Sequence, residues 1–182
     1  PRRQQRHYHY QHVLLPWQSL LQMRKLAFAL CLFASPALAT GLQVEVSGEG
    51  ANGTITIDLL EDLAPKHVAQ ITAIAESGAY NGVVFHRVID GFMAQTGDVQ
   101  FGQSSGNTSR AGMGGSDMPD IQAEFSSEPF KRGIVGMARS QNPNSANSQF
   151  FIMFDDGDFL NGQYTVVGRV TAGMDVVDQI KL

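Results

Sequence analysis

One segment of this sequence holds the side chains best suited to chemistry, Phe85-His86-Arg87-Val88-Ile89-Asp90-Gly91-Phe92-Met93-Ala94-Gln95-Thr96-Gly97-Asp98. Arg87 carries a permanent charge on a rigid fork of N–H donors, which can stabilise an electron pair that develops during a reaction. Gln95 can hold both the arginine and a substrate carbonyl, because its amide has donors and an acceptor. An isolated arginine more often pairs with a surface carboxylate, so these two residues alone leave a catalytic and a structural role open.

Other patterns that could bind a ligand lack the spacing that the ligand needs. Ala111-Gly112-Met113-Gly114-Gly115 is rich in glycine, but no lysine follows and no strand–loop–helix setting surrounds it, so phosphate binding is not indicated. The acidic run Asp155-Asp156-Gly157-Asp158 does not match a calcium loop and is interpreted as a solvated turn. The sequence therefore predicts no metal and no cofactor.

Hydrolytic chemistry is also disfavoured. Residues 40–182 contain only two histidines, His67 and His86, and no obvious nucleophile motif accompanies them. A secreted hydrolase is therefore a poor interpretation of this sequence.

Composition limits the remaining classes. The chain has 182 residues, of which 16% are charged, which fits one compact domain. Residues 40–182 contain eight basic and all 17 acidic residues, a formal charge of −9 that argues against nucleic-acid binding. The only cysteine, Cys31, precedes this region, so the domain is expected to rely on its apolar core without disulfides.

The N-terminal part has the pattern of a targeting sequence. Residues 23–25 are Met-Arg-Lys, residues 26–34 are apolar, and Ala37-Leu38-Ala39 is a small-x-small cleavage pattern. This order is typical of a secretory signal peptide, and the apolar run is too short to span a bilayer. We predict a signal peptide over 23–39, cleavage after Ala39, no membrane anchor, and export, most simply to a bacterial periplasm.

Residues 1–22 precede this signal and begin with Pro1. We interpret them as upstream translated sequence, with Met23 as the start; a functional basic tail is the alternative. The folded domain is accordingly expected to comprise residues 40–182.

Hydrophobic periodicity predicts many strands and few helices in this domain. A helix is expected to begin near Pro65, with one apolar face, and to end at Gly78. A second short helix is expected over 173–180, and a long loop from Gly97 to Asp120. The predicted strands are 42–46, 54–59, 83–89, 92–95, 133–138, 149–154 and 164–170. This element content favours an antiparallel barrel or a sandwich.

Two motifs resemble the signatures of one known family. The segment 85–98, with Thr96 where a glycine is common, and Ser148-Gln149-Phe150-Phe151-Ile152 are similar to the two cyclophilin signatures, and the resemblance runs from about Val44 to Ile180. It implies a closed eight-stranded antiparallel β-barrel capped by two helices. It also implies a peptidyl-prolyl cis–trans isomerase that assists folding of exported proteins. A non-catalytic proline-recognition or chaperone module is the alternative.

The resemblance assigns roles residue by residue. Arg87 matches the catalytic arginine, and Gln95 and Gln149 match the groups that hold the substrate backbone. The walls of the proline pocket are matched by Phe92, Met93, Phe151 and Leu160. Further substrate contacts are matched by Gly112 in the neighbouring glycine loop, by the stretch Ala138, Arg139 and Ser140, and by Phe159 and Tyr164, which stand where many members have tryptophan and histidine.

These residue types suit rotation about an X–Pro bond. Rotation breaks amide resonance, against a barrier of about 18–20 kcal/mol, and leaves a lone pair on the proline nitrogen that a fixed arginine can stabilise. No proton transfer is required, so we interpret His86 as structural. Expected partners are proline-containing polypeptides. Cyclosporin-like inhibitors should bind weakly, because Phe159 lacks the indole N–H, and a monomer is expected.

The sequence ends at Leu182, directly after the second predicted helix. Family members usually continue into a last strand that completes the barrel. We therefore expect the domain in this sequence to lack its final strand, which would leave unpaired edges on the neighbouring strands.

Overall fold

The structure is a computed structural model that describes residues 8–10 and 40–181; the predicted signal peptide lies outside the described residues. Its strands are β1 (Tyr8–Tyr10), β2 (Thr40–Ser47), β3 (Asn52–Leu59), β4 (Arg87–Ile89), β5 (Met93–Thr96), β6 (Ile134–Met137), β7 (Phe150–Met153) and β8 (Val166–Ala172). Two α-helices, α1 (Pro65–Glu76) and α2 (Met174–Asp178), and two short 3-10 turns, Thr108–Arg110 and Asp158–Leu160, complete these elements.

All the strands form one antiparallel sheet in the order β1-β2-β3-β8-β6-β7-β5-β4. The strand β1, which lies within the residues interpreted as an upstream extension, pairs with β2 from Tyr8 opposite Val46 to Tyr10 opposite Val44. Seven strands, β2 to β8, belong to the predicted domain and form a curled half-barrel. No pairing joins β4 to β1 or β2 within the described residues, so closure of the barrel is not part of this structure.

The predicted hairpin is confirmed. Strands β2 and β3 pair along their full length, from Thr40 opposite Leu59 to Ser47 opposite Asn52. Alternate residues Leu42, Val44 and Val46 are buried, because successive side chains of a strand point to opposite faces of the sheet.

Helix α1 packs its predicted apolar face, Val68, Ile71, Ile74 and Ala75, into the main core. Its first turn is capped from a distant segment. The carboxylate of Glu124 accepts hydrogen bonds from the backbone N–H groups of Lys66 and His67, each at 3.1 Å. A negative charge at this end satisfies free N–H groups and complements the helix dipole.

The predicted strand over 83–89 is wrong in its first half, because only Arg87–Ile89 forms a strand. Val83 instead makes an isolated bridge with Gln103, and the Val84 N–H donates to the carbonyl of Gly102 at 2.9 Å. Residues 83–85 are buried, so their apolar and β-branched side chains serve the core in an irregular segment. The loop that follows Gly97 thus supplies hydrogen-bond partners for backbone groups that a neighbouring strand would otherwise have paired.

A second, smaller cluster of buried side chains lies apart from the main core. Five members lie on β5, β6, β7 and β8, and two lie outside the strands. They are Met93, Ile134, Phe151, Met153 and Val166 on the strands, with Phe130 and Leu160. Partly buried Phe92, Ala138 and Tyr164 pack against it. This cluster supports the candidate site described next.

Candidate active site

Strand register brings three predicted site residues into one row. Arg87 lies opposite Gln95 across β4 and β5, and Gln95 lies opposite Phe151 across β5 and β7. Directly opposed residues share one face of a sheet, so the guanidinium, the amide and the phenyl ring are neighbours.

The next residue in this row, Gly136 on β6, makes room for Phe151. A Cβ at Gly136 would lie 2.6 Å from the rings of both Phe130 and Phe151. The absence of a side chain therefore allows Phe151 to lie across β6 and stack on Phe130, with ring centroids 5.8 Å apart.

A groove of about 480 Å³ opens beside this row. It is lined by Arg87, Phe92, Met93, Gln95, Ala138, Arg139, Phe151, Phe159, Leu160, Gln163 and Tyr164. All of these except Gln163 are residues that the sequence analysis assigned to the site. The remaining three assigned residues, Gly112, Ser140 and Gln149, do not line the groove.

The groove has a buried apolar floor and an aromatic rim. Met93, Phe151 and Leu160 are at most 7% exposed, whereas Phe159 is 64% exposed and contacts the ring of Phe92 at a centroid distance of 5.3 Å. The ring of Tyr164 meets Phe151 edge-on at 6.0 Å. This arrangement can accept a small apolar ring.

Hydrogen bonds link the polar residues in a chain. Arg87 Nη1 donates to Gln95 Oε1 at 3.3 Å, and Gln95 Nε2 donates to Gln149 Oε1 at 2.9 Å. Gln149 Nε2 in turn donates to the carbonyl of Gly114 at 2.7 Å. Gln149 therefore reaches the site through Gln95, which it orients, and the glycine loop anchors the far end of the chain.

Arg87 does not form the surface ion pair that was its structural alternative. Among residues 40–181 no carboxylate lies within 4.0 Å of its guanidinium. The side chain is exposed at the groove, and in the described part of the chain it donates a hydrogen bond to the neutral Gln95 amide alone, so its charge remains available to a bound molecule.

Sequence reasoning missed Asp98, the residue that holds the glycine loop. Its fully buried carboxylate accepts hydrogen bonds from Gly112 N–H at 2.7 Å and Gly114 N–H at 3.0 Å through Oδ2. Its Oδ1 accepts from the backbone N–H groups of Gln100 and Phe101. The available signal was an acidic residue that ends the first signature and precedes a glycine-rich loop.

His86 packs beneath this loop. A Cβ at Gly112, which has a φ of +100°, would lie 3.1 Å from the His86 ring. Burial lowers the pKa of His86 below its usual 6.5, against the opposing influence of Asp98, Gln149 and the Val84 backbone. His86 does not line the groove, which agrees with a structural interpretation.

The stretch predicted to pair with a peptide backbone is partly engaged already. The Ala138 N–H donates to the carbonyl of Gln149 at 3.0 Å, and the Ser140 N–H donates to Ser145 Oγ at 2.9 Å. The Arg139 guanidinium lies 4.4 Å from the centre of the Tyr164 ring and donates to the carbonyl of Gln163. Gln163 was missed because nothing in its local sequence marks it as a groove residue.

The acidic run forms a set of surface ion pairs. Lys131 Nζ lies 3.1 Å from Asp156 and 2.9 Å from Asp158, and Asp156 also accepts from the Arg132 N–H. That backbone hydrogen bond is the main cause of the lowered pKa of Asp156, and the hydrogen bond from Lys131 lowers this pKa further. Within residues 40–181, no group of three or more His, Cys, Asp or Glu side chains is arranged to hold a metal ion.

No helix in the same part of the chain has the length and apolar character to cross a membrane.

Similarity to a known family identifies the kind of protein to which this groove belongs. The profile of the family described as "Cyclophilin type peptidyl-prolyl cis-trans isomerase/CLD" matches residues 42–182. This chain belongs to the cyclophilin-type peptidyl-prolyl cis–trans isomerase family. The match covers the groove, the glycine loop and both motifs that suggested the resemblance.

Curated cyclophilin relatives include close bacterial ones. A probable peptidyl-prolyl cis–trans isomerase of Brucella suis is 69% identical over 132 residues, covering 71% of this chain and 67% of the relative. The peptidyl-prolyl cis–trans isomerase cyp15 of Rhizopus delemar is 44% identical over 133 residues, covering 71% of this chain and 20% of the relative. The chain thus spans about two thirds of the length of the bacterial relative.

Solved cyclophilin structures share the fold. AquaCyp293 from Hirschia baltica has a TM-score of 0.61 at 28% identity, covering 71% of this chain and 64% of that chain. A cyclophilin-type isomerase of Cryptosporidium parvum was solved in the presence of the dipeptide Ala-Pro. It has a TM-score of 0.62 at 28% identity, and the match covers 71% of this chain and 81% of that chain.

Proposed function

We propose that this cyclophilin accelerates cis–trans rotation about X–Pro peptide bonds in exported proteins and thereby assists their folding. One observation carries the proposal. The unpaired guanidinium of Arg87 is held by Gln95 beside an apolar pocket whose floor is Met93, Phe151 and Leu160.

The apolar pocket would take the proline ring. Clamping the ring fixes one side of the bond while the other side turns. Its floor is buried and its rim is aromatic, which suits a saturated five-membered ring without requiring a polar partner.

Arg87 would supply the electrostatic contribution to catalysis. In the twisted state the proline nitrogen carries a lone pair that the planar amide lacks, and an N–H donor of Arg87 can stabilise it. Removing one such fixed donor costs about 10²–10³-fold in rate in enzymes that depend on it. Gln95 would hold the substrate carbonyl and the arginine together. Bonds to protons are neither made nor broken, so no general base is needed.

A direct test is the isomerisation rate of a short Ala-Pro peptide, with and without the purified chain, beside Arg87→Ala. We expect a large acceleration that falls by about 10²-fold or more in the variant. The matched control is Arg110→Ala, which removes another exposed arginine outside the groove lining and should retain the rate.

Peptide binding separates the enzyme from the non-catalytic proline-recognition module. If Arg87→Ala still binds the peptide while its turnover is lost, the isomerase is supported. If the wild-type chain is folded and binds the peptide without accelerating rotation, the recognition module is supported and the isomerase is contradicted.

The proposed partners follow from the same groove. They are polypeptides that contain proline, and cyclosporin-like inhibitors should bind weakly because Phe159 offers no indole N–H at the rim. We propose that the protein acts as a monomer. Sedimentation velocity over a range of concentrations tests this, and a concentration-dependent increase in mass would contradict it.

We also propose that β2 to β8 form seven strands of an eight-stranded antiparallel barrel capped by α1 and α2, which one further strand would complete. The continuous antiparallel order from β2 to β4 supports this, as does the burial of residues from both helices in one core. Hydrogen exchange tests it. Slow exchange of the β4 amides that face away from β5 would support closure, and fast exchange would contradict it.

Export is the last part of the proposal. It rests on the signal-like pattern over 23–39, with residues 1–22 as an upstream extension and the bacterial periplasm as the destination. Expression in a bacterium with this N-terminus should yield a periplasmic protein that begins at Thr40 by intact mass. An uncleaved cytoplasmic product would contradict it.

A further inference from the structure

The described residues that line the groove carry two positive charges and no negative charge. Arg87 and Arg139 both line it, and none of the other lining residues is Asp or Glu. The protein around it is acidic, because residues 40–182 carry a formal charge of −9. The groove is therefore a positive site on a negatively charged molecule.

Within residues 40–181, no carboxylate neutralises either groove arginine. Among residues 40–181, Lys131, Arg132 and Arg169 form ion pairs with carboxylates at 2.6–3.1 Å, whereas Arg87 and Arg139 form none. Their charges are free to act on whatever occupies the groove.

Arg139 is also held in a fixed place. Its Nη1 donates to the carbonyl of Ser140 at 2.9 Å, and its Nε and Nη2 donate to the carbonyl of Gln163 at 3.2 and 2.7 Å. Its guanidinium stacks on Tyr164 at 4.4 Å. These neutral partners orient the side chain and leave its net charge intact, so less entropy is lost when a ligand binds.

The two arginines belong to parts of the sheet that are not neighbours. Arg139 follows the end of β6, whereas Arg87 begins β4, and both β7 and β5 lie between these strands. Measured along the curled sheet, three strand spacings correspond to about 14 Å. Since Arg87 is placed at the rotating bond by the proposed function, Arg139 would meet a residue that flanks the X–Pro pair.

We propose that Arg139 makes this groove selective for X–Pro segments that carry an acidic side chain next to the X–Pro pair. The inference rests on the proposed isomerase function and names its preferred substrate class. A Glu or Asp carboxylate would face a guanidinium that forms no ion pair within residues 40–181, and a lysine at the same place would be repelled. Because this contact is remote from the rotating bond, it forms equally in the ground and twisted states, so it lowers KM and leaves kcat unchanged.

The test uses the full chain and peptides that differ at one residue, Glu, Gln or Lys, either directly after proline or directly before the X–Pro pair. Isomerisation gives kcat and KM, and a fluorescence titration gives Kd. At one of the two positions we expect the Glu peptide to bind about three- to fivefold more tightly than the Gln peptide, with the Lys peptide weakest. The preference should disappear between about 10 mM and about 1 M salt, where the screening length falls from about 30 Å to about 3 Å.

Two variants assign the effect to Arg139. In Arg139→Gln the ratio of Glu to Gln affinity should fall to about one, whatever the variant's absolute activity. The matched control is Arg110→Gln, which removes another ring-stacked arginine, 4.0 Å from the Phe101 ring, outside the groove lining. It should keep the wild-type ratio.

The outcomes separate this inference from the proposed function. Equal Kd values for the Glu and Gln peptides at both positions overturn the inference, even if both peptides are isomerised. A preference that survives in Arg139→Gln also overturns it. Absence of turnover with the Gln peptide contradicts the proposed function, and the Kd ratio still decides the charge selectivity.

Discussion

The carboxylate of Asp98 accepts a hydrogen bond of 2.7 Å from the N–H of Gly112, a residue 14 positions further along the chain. Gly114 donates to the same oxygen, and the carbonyl of Gly114 receives the Gln149 side chain that orients Gln95. A buried carboxylate that does not line the groove thus supports its polar side.

Replacement of Asp98 by Asn should lower both stability and activity. Each carboxylate oxygen accepts two backbone N–H groups, so one of them would become an NH₂ donor facing other donors. We expect a loss of about 1–3 kcal/mol in the free energy of unfolding, measured by urea denaturation, and a reduced kcat/KM for the Ala-Pro peptide.

Asp90→Asn is the matched control. Because Asp90 is exposed, this substitution should change the free energy of unfolding by no more than about 0.5 kcal/mol. An Asp98→Asn protein as stable and active as the wild type would show that the loop does not depend on this carboxylate.

Replacement of Gly136 by Ala should disturb the pocket floor. The added methyl would lie 2.6 Å from the rings of Phe130 and Phe151, which are themselves buried. Overpacking of this kind costs about 1–3 kcal/mol of stability, and displacement of Phe151 should raise KM for the Ala-Pro peptide. Thermal unfolding and steady-state kinetics measure the two effects. Gly106→Ala, where the nearest atom is 3.6 Å away, is the control.

The lowered pKa values of buried His67 and partly buried His86 predict how stability depends on pH. Burial lowers the pKa of His67, against the opposing hydrogen bond to Glu124, and burial likewise lowers the pKa of His86. The unfolded chain therefore binds protons more readily than the folded chain below pH 6.5, so the free energy of unfolding should decrease as the pH falls from 6.5 towards 5. Each histidine contributes a slope of at most about 1.4 kcal/mol per pH unit.

Urea unfolding at several pH values measures this slope. The lowered pKa of Glu124 makes it lose its stabilising charge only near and below 4.5, so the carboxylate and histidine effects separate in pH. In the double variant His67→Gln/His86→Gln, the free energy of unfolding should depend less on pH between 5 and 6.5. A wild-type profile that is flat in this range would contradict the prediction.

Replacement of Phe159 by Trp should strengthen inhibitor binding. Phe159 is 64% exposed at the groove rim beside Phe92, so a larger ring can be accommodated towards solvent and would add an N–H donor. We expect the Kd for cyclosporin to fall by about tenfold, measured by calorimetry. An unchanged Kd would show that the rim does not limit binding.

The local sequence was sufficient for most elements that build this site. Alternation predicted the β2–β3 hairpin, and Pro65 and Gly78 bounded α1, because turn residues and side-chain periodicity act within a few positions. The segment 83–86 was predicted wrongly, because its β-branched and aromatic residues signal burial as strongly as they signal a strand.

The sequence by itself determined the family, the catalytic candidate Arg87 and the apolar residues of the pocket, because these lie in contiguous motifs. Only the tertiary structure decided that Asp98 holds the glycine loop, that Gly136 makes room for Phe151, and that Gln163 reaches the groove. These relationships join residues distant in the chain, and they depend on strand register and loop packing, which no local pattern encodes.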